Sequence, residues 1–207
     1  MNAEYLVSFL REAKDIMAEN REYLINLDSV VGDGDLGLTM SDGFLAAYEA
    51  VTEKGETDAG RLLYQAGKAM STAVPSTMGT LMASGLMQAG KALKGNTELS
   101  PGQVAELFQA YLEGVANRGK AKIGDKTFLD GLAPGVEALK EAVEAGEDLP
   151  TASAKAAAAA QKGFEATVGM LAVHGRAATR GEASRKLQDP GAAVAALLMK
   201  ALEKASR

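Results

Sequence analysis

Apolar residues recur every three or four positions along most of the chain, which is the spacing typical of amphipathic helices. This spacing predicts a first helix over residues 3–26, marked by Leu6, Phe9, Leu10, Ala13, Ile16 and Met17. It predicts seven more helices, at about 40–53, 58–72, 77–94, 101–117, 130–145, 151–171 and 190–205. The chain has no run of four β-branched or aromatic residues, so we predict no sheet.

Two of these helices carry explicit start signals. Ser100-Pro101 and Asp189-Pro190 each place a side-chain acceptor at the N-cap and a proline at the first helical position. The alanine-rich segment 152–163 is predicted to be a tightly packed helix, because alanine favours helices and allows close approach. Eight helices in one all-α domain predict a bundle whose loops cluster at its two ends.

Composition narrows the class of protein. With 207 residues, 47% apolar and 24% charged, the chain is expected to form one soluble domain spanning 1–207. A net charge of -5 disfavours nucleic acid and anionic membranes as partners. The absence of cysteine suits a cytoplasmic location. The apolar run at 192–199 is too short to cross a bilayer, and the amino terminus does not resemble a signal peptide or an anchor.

The stretch DSVVGDGDLG at residues 28–37 concentrates three aspartates without a basic neighbour. On a continuous helix, Asp28 and Asp35 would lie about 10.5 Å apart along the axis, and Asp33 would point elsewhere. The glycines at 32, 34 and 37 permit positive φ and sharp turns. We therefore expect the chain to double back and bring the three carboxylates together.

Oxygen ligands without histidine or cysteine favour a hard cation, for which Mg²⁺ with bound phosphates is the natural candidate. An EF-hand is excluded, since the twelfth position from Asp33 is Phe44 instead of glutamate. A phosphoaspartate phosphatase motif would follow a buried strand, and only Val30 and Val31 precede this one. On these residues alone, a cation site and a solvated acidic loop both stay open.

Three further loops offer groups that suit an anionic ligand. The stretch 74–85 places hydroxyls and a glycine at a helix start, where free N–H groups attract phosphate, although simple capping explains the same residues. The loop 118–135 contains the charged residues Lys120, Lys122, Asp125 and Lys126. The loop 174–192 contains Arg176, Arg180, Arg185 and Lys186. The single histidine, His174, is expected to have a structural role or to lie at a pocket edge.

The stretches GDGDLG, STMGT, RGKAKIGDKT, GRAA and QDPGA occur in that order over nearly the whole chain. This combination resembles the nucleotide-binding L subunit of dihydroxyacetone kinases. The resemblance implies an eight-helix antiparallel barrel with a nucleotide pocket at one end. It also implies two Mg²⁺ ions that bind the phosphates of ADP or ATP and are held by Asp28, Asp33 and Asp35.

The same resemblance implies the nucleotide contacts, which we assign to Leu36, Gly37, Thr39, Ser76, Thr77, Gly79, Thr80, Gly119, Phe128, Arg176, Asp189, Pro190 and Gly191. Arg176 is the expected catalytic residue, approaching the nucleotide from the side opposite the metals, with Arg180 or Lys126 as alternative cations. Leu36 stands where much of the family has histidine, and Pro75 begins a segment that replaces a more usual glycine-rich run.

By resemblance, the chain is expected to donate phosphate to a hydroxyketone held by a separate K subunit. The nucleotide would be a retained ADP rephosphorylated by a phosphotransferase-system protein, or an exchanging ATP. Other acceptors, such as a four-carbon ketose or a carried fatty acid, stay open, as does a non-catalytic, nucleotide-loaded regulator. A homodimer is a further possibility.

Overall fold

The computed structural model describes residues 1–52 and 55–207, and within these residues the protein is all-α. Its α-helices are α1 (Ala3–Glu19), α2 (Arg21–Val31), α3 (Leu36–Glu49), α4 (Ala59–Ala73), α5 (Thr77–Ala92), α6 (Pro101–Gly119), α7 (Phe128–Glu144), α8 (Leu149–Glu165) and α9 (Pro190–Ala205). A 3₁₀ segment, Arg176–Lys186, lies between α8 and α9. None of the described helices is both long and apolar enough to span a membrane.

The first predicted helix, 3–26, is in fact two helices. Asn20 interrupts it, and its side-chain amide donates to the carbonyl of Ile16 at 2.8 Å. Asparagine disfavours helix interiors because its side chain competes for backbone groups. The second helix then continues to Val31, so Asp28 lies on its last turn and not in a loop.

Other boundaries differ by a few residues. The helix predicted at 40–53 begins earlier, at Leu36, and ends at Glu49; its predicted end at residue 53 lies outside the described residues. The helix predicted to end at 171 ends at Glu165. There the Thr167 hydroxyl donates to the carbonyl of Phe164 at 2.6 Å, and Gly169 adopts a φ of 99°, which a continuing helix excludes.

Both predicted caps are confirmed. The Ser100 hydroxyl accepts the backbone N–H of Gln103 at 3.2 Å, and the Gln103 side chain accepts the N–H of Ser100 at 2.8 Å. The Asp189 carboxylate accepts the N–H of Ala192 at 2.7 Å. These bonds satisfy N–H groups that a helix start leaves without partners.

The helices form a closed ring. Each helix from α3 onward packs against its successor along the chain, α9 returns to α1, and α1 completes the ring by packing against α3. Paired as one bent unit, α1 and α2 leave eight units in an antiparallel barrel, as the resemblance implies. The ring encloses a single contiguous core of leucine, methionine, alanine and phenylalanine side chains.

Small residues allow the helices to approach closely. Gly135 of α7 faces the backbone of Ala156 and the side chain of Ala160 in α8, both fully buried. The alanine-rich segment 152–163 therefore lies in a tightly packed helix, as predicted.

The connections after α2, α4, α6 and α8 fall at the same end of the barrel, because successive units run antiparallel. These four connections contain the motifs singled out in the sequence.

Candidate functional site

Asp28, Asp33 and Asp35 converge at this end of the barrel. Each offers one carboxylate oxygen, and these oxygens all lie within 4.8 Å of one another. Asp28 projects from the last turn of α2, while the other two follow on the loop that leads to α3. The predicted convergence is thus confirmed in geometry.

The glycines act in two different ways. Gly34 adopts a φ of 75°, and its N–H donates to the Asp28 carboxylate at 2.9 Å. Gly32 and Gly37 do not have positive φ, contrary to expectation. A Cβ at Gly32 would collide with the Asp28 carboxylate, and one at Gly37 would collide with the carbonyl of Arg21. These two positions require glycine for space, not for backbone conformation.

The electrostatics of the cluster favour a bound cation. Burial raises the pKa of Asp28, the carboxylates of Asp33 and Asp35 raise it further, and the N–H groups of Leu36 and Gly34 act in the opposite direction. A carboxylate cluster of this kind is relieved by a positive ion. Oxygen donors alone fit a hard divalent cation such as Mg²⁺.

The second predicted segment borders the same site. Ser76 and Asp35 both line a cleft of about 290 Å³, together with Leu38, Thr39, Asp42, Ala73, Val74 and Pro75. The Ser76 hydroxyl caps α5 by accepting the N–H of Gly79 at 3.0 Å. Capping and anion binding are compatible here, because the N–H groups of the first turn have no acceptor within the helix.

Leu36 and Gly79 pack tightly against neighbouring residues. Leu36 lies in the core, so the position that holds histidine in much of the family is not turned toward the cleft. A Cβ at Gly79 would collide with the carbonyl of Val74. Thr77 begins α5, and Thr80 donates its N–H to the carbonyl of Ser76 at 2.9 Å.

The third and fourth segments meet each other. Gly119 ends α6 and Phe128 begins α7, with the Phe128 ring buried 6.2 Å from the ring of Tyr111. A Cβ added to Gly191 would lie 3.1 Å from the backbone nitrogen of Phe128. The start of α9 is therefore seated on the start of α7.

Asp189 and Pro190 form the buried start of α9. Burial raises the pKa of Asp189 to about 7, whereas the N–H of Ala192 and the ammonium of Lys126 act in the opposite direction. Its backbone N–H donates to the Thr167 hydroxyl at 3.1 Å. Its carboxylate is thus committed to capping the helix.

Arg176 lies directly against the aspartates. Its Nη2 is 2.5 Å from Oδ2 of Asp33. Arg180, one turn further on, donates to the carbonyl of Val30 at 2.7 Å. The 3₁₀ segment folds back over the end of α2 and places Arg176 beside the aspartates. Its approach to the nucleotide from the side opposite the metals stays a prediction.

Lys126 does not fit its predicted role. The sequence offers it as an alternative cation for the nucleotide, but its side chain is buried, and its ammonium donates to three backbone carbonyls. The local sequence carries no signal for this, since the acceptors come from a distant segment. His174 is partly exposed, and its Nε2 lies 2.9 Å from Oδ2 of Asp125. This contact fits a structural role, and a place at the pocket edge stays a prediction.

A larger cleft, of about 770 Å³, lies between α4, α5 and α6. Its lining includes Arg61, Lys91, Lys94 and Arg118, but none of the predicted site residues. The larger cleft therefore lies apart from the candidate site at the carboxylate cluster.

Comparisons with known proteins agree with this geometry. The family model described as DAK2 domain matches residues 30–204. The chain is 33% identical over 202 residues to the ADP-binding subunit DhaL of PEP-dependent dihydroxyacetone kinase from Escherichia coli strain K12, covering 98% of this chain and 96% of that protein. It is 34% identical over 202 residues to an L-erythrulose kinase of Pectobacterium atrosepticum, covering 97% of this chain but only 34% of that protein.

Among solved structures, the native dihydroxyacetone kinase of C. freundii superimposes with a TM-score of 0.73 at 23% identity. The match covers 96% of this chain and 34% of that chain, so this chain spans about a third of that kinase. The same kinase in complex with AMP-PNP and Mg²⁺ gives a TM-score of 0.72. At this identity the likeness establishes the all-α fold.

Proposed function

The chain belongs to the DAK2 domain family, and from this premise we propose that it is the phosphoryl-donor subunit of a dihydroxyacetone-type kinase. Its class as a phosphotransferase is confirmed by relatives that are named as kinases or as ADP-binding subunits of kinases. We propose that residues 1–207 act as one nucleotide-binding domain.

One observation carries the proposal. The three carboxylates that lie within 4.8 Å of one another stand at the same end of the barrel as the cleft shared by Asp35 and Ser76. A hard cation on the aspartates and phosphates at the start of α5 would therefore be neighbours. Gly32 leaves room for the Asp28 carboxylate, which a Cβ at this position would meet.

The aspartates would hold Mg²⁺, and the family resemblance implies two ions. The metal would neutralise phosphate charge. The N–H groups at the start of α5 would bind phosphate oxygens, with Ser76, Thr77, Gly79 and Thr80 around them. Arg176 would stabilise charge on the phosphoryl group in transit through its planar set of donors. Most of the work in phosphoryl transfer is such positioning and neutralisation.

The remaining contacts assigned to ADP or ATP are proposals of the same kind. Thr39 and Gly37 would border the phosphates beside Leu36 at the start of α3. Gly119, Phe128 and the start of α9 (Asp189, Pro190 and Gly191) would form the far wall of the nucleotide pocket.

The partners follow from the relatives. The ADP-binding subunits of E. coli and Listeria innocua belong by name to PEP-dependent kinases. We propose that this chain works with a hydroxyketone-binding K subunit and is rephosphorylated by a phosphotransferase-system protein. A homodimer, the cytoplasmic location and the lack of nucleic-acid or membrane partners stay predictions from the sequence.

A second acceptor is favoured by one observation. Two relatives at 34% and 33% identity are named as kinases of L-erythrulose. A four-carbon ketose is therefore the alternative to dihydroxyacetone. The acceptor would be bound on the other subunit, so the donor chemistry of this chain would be the same in both cases.

The test begins with nucleotide bound to the purified protein. We expect ADP or ATP to be released on denaturation, or Mg-ADP to bind the stripped protein with a stoichiometry of one. Phosphotransfer is then measured with the K subunit from the same source, using dihydroxyacetone and L-erythrulose in parallel. ATP and a phosphorylated phosphocarrier protein are compared as donors.

Failure to recover nucleotide together with failure to bind added Mg-ADP or Mg-ATP would overturn the donor role. Binding without transfer under any donor would instead favour the non-catalytic, nucleotide-loaded regulator. Transfer only to L-erythrulose would assign the second acceptor.

A further inference from the structure

Lys126 occupies an unusual position for a lysine. Its side chain is buried, and its ammonium donates to the carbonyls of Thr167 at 2.8 Å, Ser184 at 2.7 Å and Leu187 at 2.5 Å. The residue adopts a φ of 61°, in the left-handed region that a lysine seldom occupies. From this turn the side chain extends into the connection between α8 and α9.

The three acceptors match the three donors of an ammonium group. They come from both ends of one connection, since Thr167 follows α8 and Leu187 precedes α9. The ammonium therefore clamps the base of the connection, where Gly169 and Arg185 also exchange backbone and side-chain bonds. A buried charge is tolerated only when it is fully hydrogen-bonded, as it is here.

The connection between these two ends carries the arginines. Arg176 and Arg180 reach from it to Asp33 and to the carbonyl of Val30. Gly175 and Gly181 flank this tip with φ values of 64° and 54°, and a Cβ at either would meet no neighbouring atom. Val173 and His174 also join this tip to Asp125, the residue before Lys126. The placement of the tip is therefore tied to the loop that carries Lys126.

We propose that Lys126 is a positioning residue for phosphoryl transfer, which holds the base of residues 167–187 so that Arg176 reaches the aspartate site. The inference rests on the proposed function of the chain as a phosphoryl donor. Lys126 does not contact the nucleotide itself, because its three N–H donors are already engaged by carbonyls. It acts through Arg176, and its loss should affect transfer without removing the metal ligands.

The main variant is Lys126→Met, which keeps most of the length of the side chain and removes its donors. Lys122→Met is the matched control, because Lys122 lies on the same loop and is exposed. We expect Lys126→Met to lower the rate of transfer by about 10- to 100-fold, the cost of misplacing a contacting group by about 1 Å. The affinity for Mg-ADP should stay within about threefold of wild type, because Asp28, Asp33 and Asp35 are untouched.

A double-mutant cycle separates positioning from general destabilisation. In an Arg176→Ala background, Lys126→Met should cause little further loss of transfer, since the group that it positions is already absent. Hydrogen exchange should increase in residues 168–187 of Lys126→Met, and not in α4 to α6. Lys122→Met should match wild type in all three measurements.

A second variant covers the case in which Lys126→Met does not fold. Arg185→Met removes an exposed hydrogen bond to the carbonyl of Gly169 at the same base, so we expect this variant to fold. It should also slow transfer and raise exchange in residues 168–187, to a smaller extent. Wild-type transfer rates in every folded variant would overturn the role of Lys126, as would equal losses from Lys126→Met with and without Arg176.

The proposed function is tested separately, by measuring Mg-ADP binding and phosphate transfer with the wild-type protein. If wild type neither binds Mg-ADP nor transfers phosphate, the donor role and this positioning role are both overturned. If wild type transfers and the variants do so equally well, only the role of Lys126 is overturned.

Discussion

The guanidinium of Arg176 lies 2.5 Å from the carboxylate of Asp33, although the two residues are 143 positions apart in the chain. This contact connects the 3₁₀ segment to the candidate metal loop. Both side chains are partly exposed, at 67% and 43%, so the pair contributes little to stability. A divalent cation on the aspartates would compete with Arg176 for Asp33 and leave the guanidinium free to meet a phosphoryl group.

We therefore predict that Arg176→Ala separates transfer from folding. Phosphotransfer with the K subunit should fall by about 10²-fold or more, as for other arginines that stabilise phosphoryl charge. The melting temperature should change little. Mg²⁺ binding to the nucleotide-free protein, measured by calorimetry, should be unchanged or tighter, because the competing cation has been removed.

Lys186→Ala is the control for this variant, since Lys186 is an exposed cation of the same 3₁₀ segment. It should leave transfer unchanged. If Arg176→Ala transfers phosphate at the wild-type rate, Arg176 forms only a surface ion pair with Asp33.

The second prediction concerns the aspartates. Asp33→Asn or Asp35→Asn removes one ligand charge from a site that must balance several phosphate oxygens, so retained nucleotide should fall sharply. Helical circular dichroism should be preserved, because both residues lie on the surface of a loop. Glu22→Gln, at an exposed carboxylate on α2, should have no effect. Wild-type nucleotide affinity in both aspartate variants would favour the solvated acidic loop.

The raised pKa of Asp189 leads us to predict that the stability of the protein depends on pH. Burial raises its pKa to about 7 in the folded protein, above the ordinary value of about 3.9. The folded state therefore holds this proton more tightly than the unfolded chain does. The contribution of Asp189 to the free energy of unfolding is fully present below about pH 4 and is lost as the pH rises through about 7.

The Asp189→Asn variant tests this dependence. It keeps an acceptor for the N–H of Ala192 but removes the titrating group, so the free energy of unfolding should vary less with pH. Between pH 4 and 7, the variant should lack a decrease of roughly 3 to 4 kcal/mol in the free energy of unfolding that wild type shows, from the size of the shift in pKa. Urea denaturation at several pH values measures it, and parallel profiles for both proteins would contradict the prediction.

From the close packing of α4 on α5 we predict a change in stability that does not involve the candidate site. A Cβ at Gly60 would collide with the carbonyl of Gly90 and the backbone of Lys94, and neither backbone can move without separating the helices. Gly60→Ala should lower the free energy of unfolding by about 1 to 3 kcal/mol. Gly102→Ala is the matched control, since its nearest neighbour is the Ser100 hydroxyl at 3.7 Å. It should be neutral or slightly stabilising. Equal effects of the two changes would contradict the packing argument.

Most of the helices could be predicted because their signals are local. The periodic apolar positions, the acceptors at Ser100 and Asp189 and the prolines that follow them act within a few residues. The break at Asn20 was missed because the apolar pattern continues across it to Leu24, which is buried in α2. Periodicity reports which face is buried, and it is insensitive to a bend that keeps that face inward.

The candidate site could be predicted in part for the same reason. Asp28, Asp33 and Asp35 meet through a turn of a few residues, whose glycines are visible in the sequence. The need for glycine at positions 32 and 37, however, comes from the neighbouring carboxylate and from the carbonyl of Arg21, and not from a left-handed conformation. That distinction depends on packing around the turn.

Most helices, the caps at Ser100 and Asp189 and the aspartate turn follow from local sequence, since each rests on interactions between residues near in the chain. The partners of Arg176 and Lys126 depend instead on how distant segments pack. Arg176 is 143 positions from Asp33, and Lys126 is 41, 58 and 61 positions from the carbonyls that it binds. Such contacts form only after the ring of helices has closed and brought its loops to one end, because the acceptors belong to other segments of the chain.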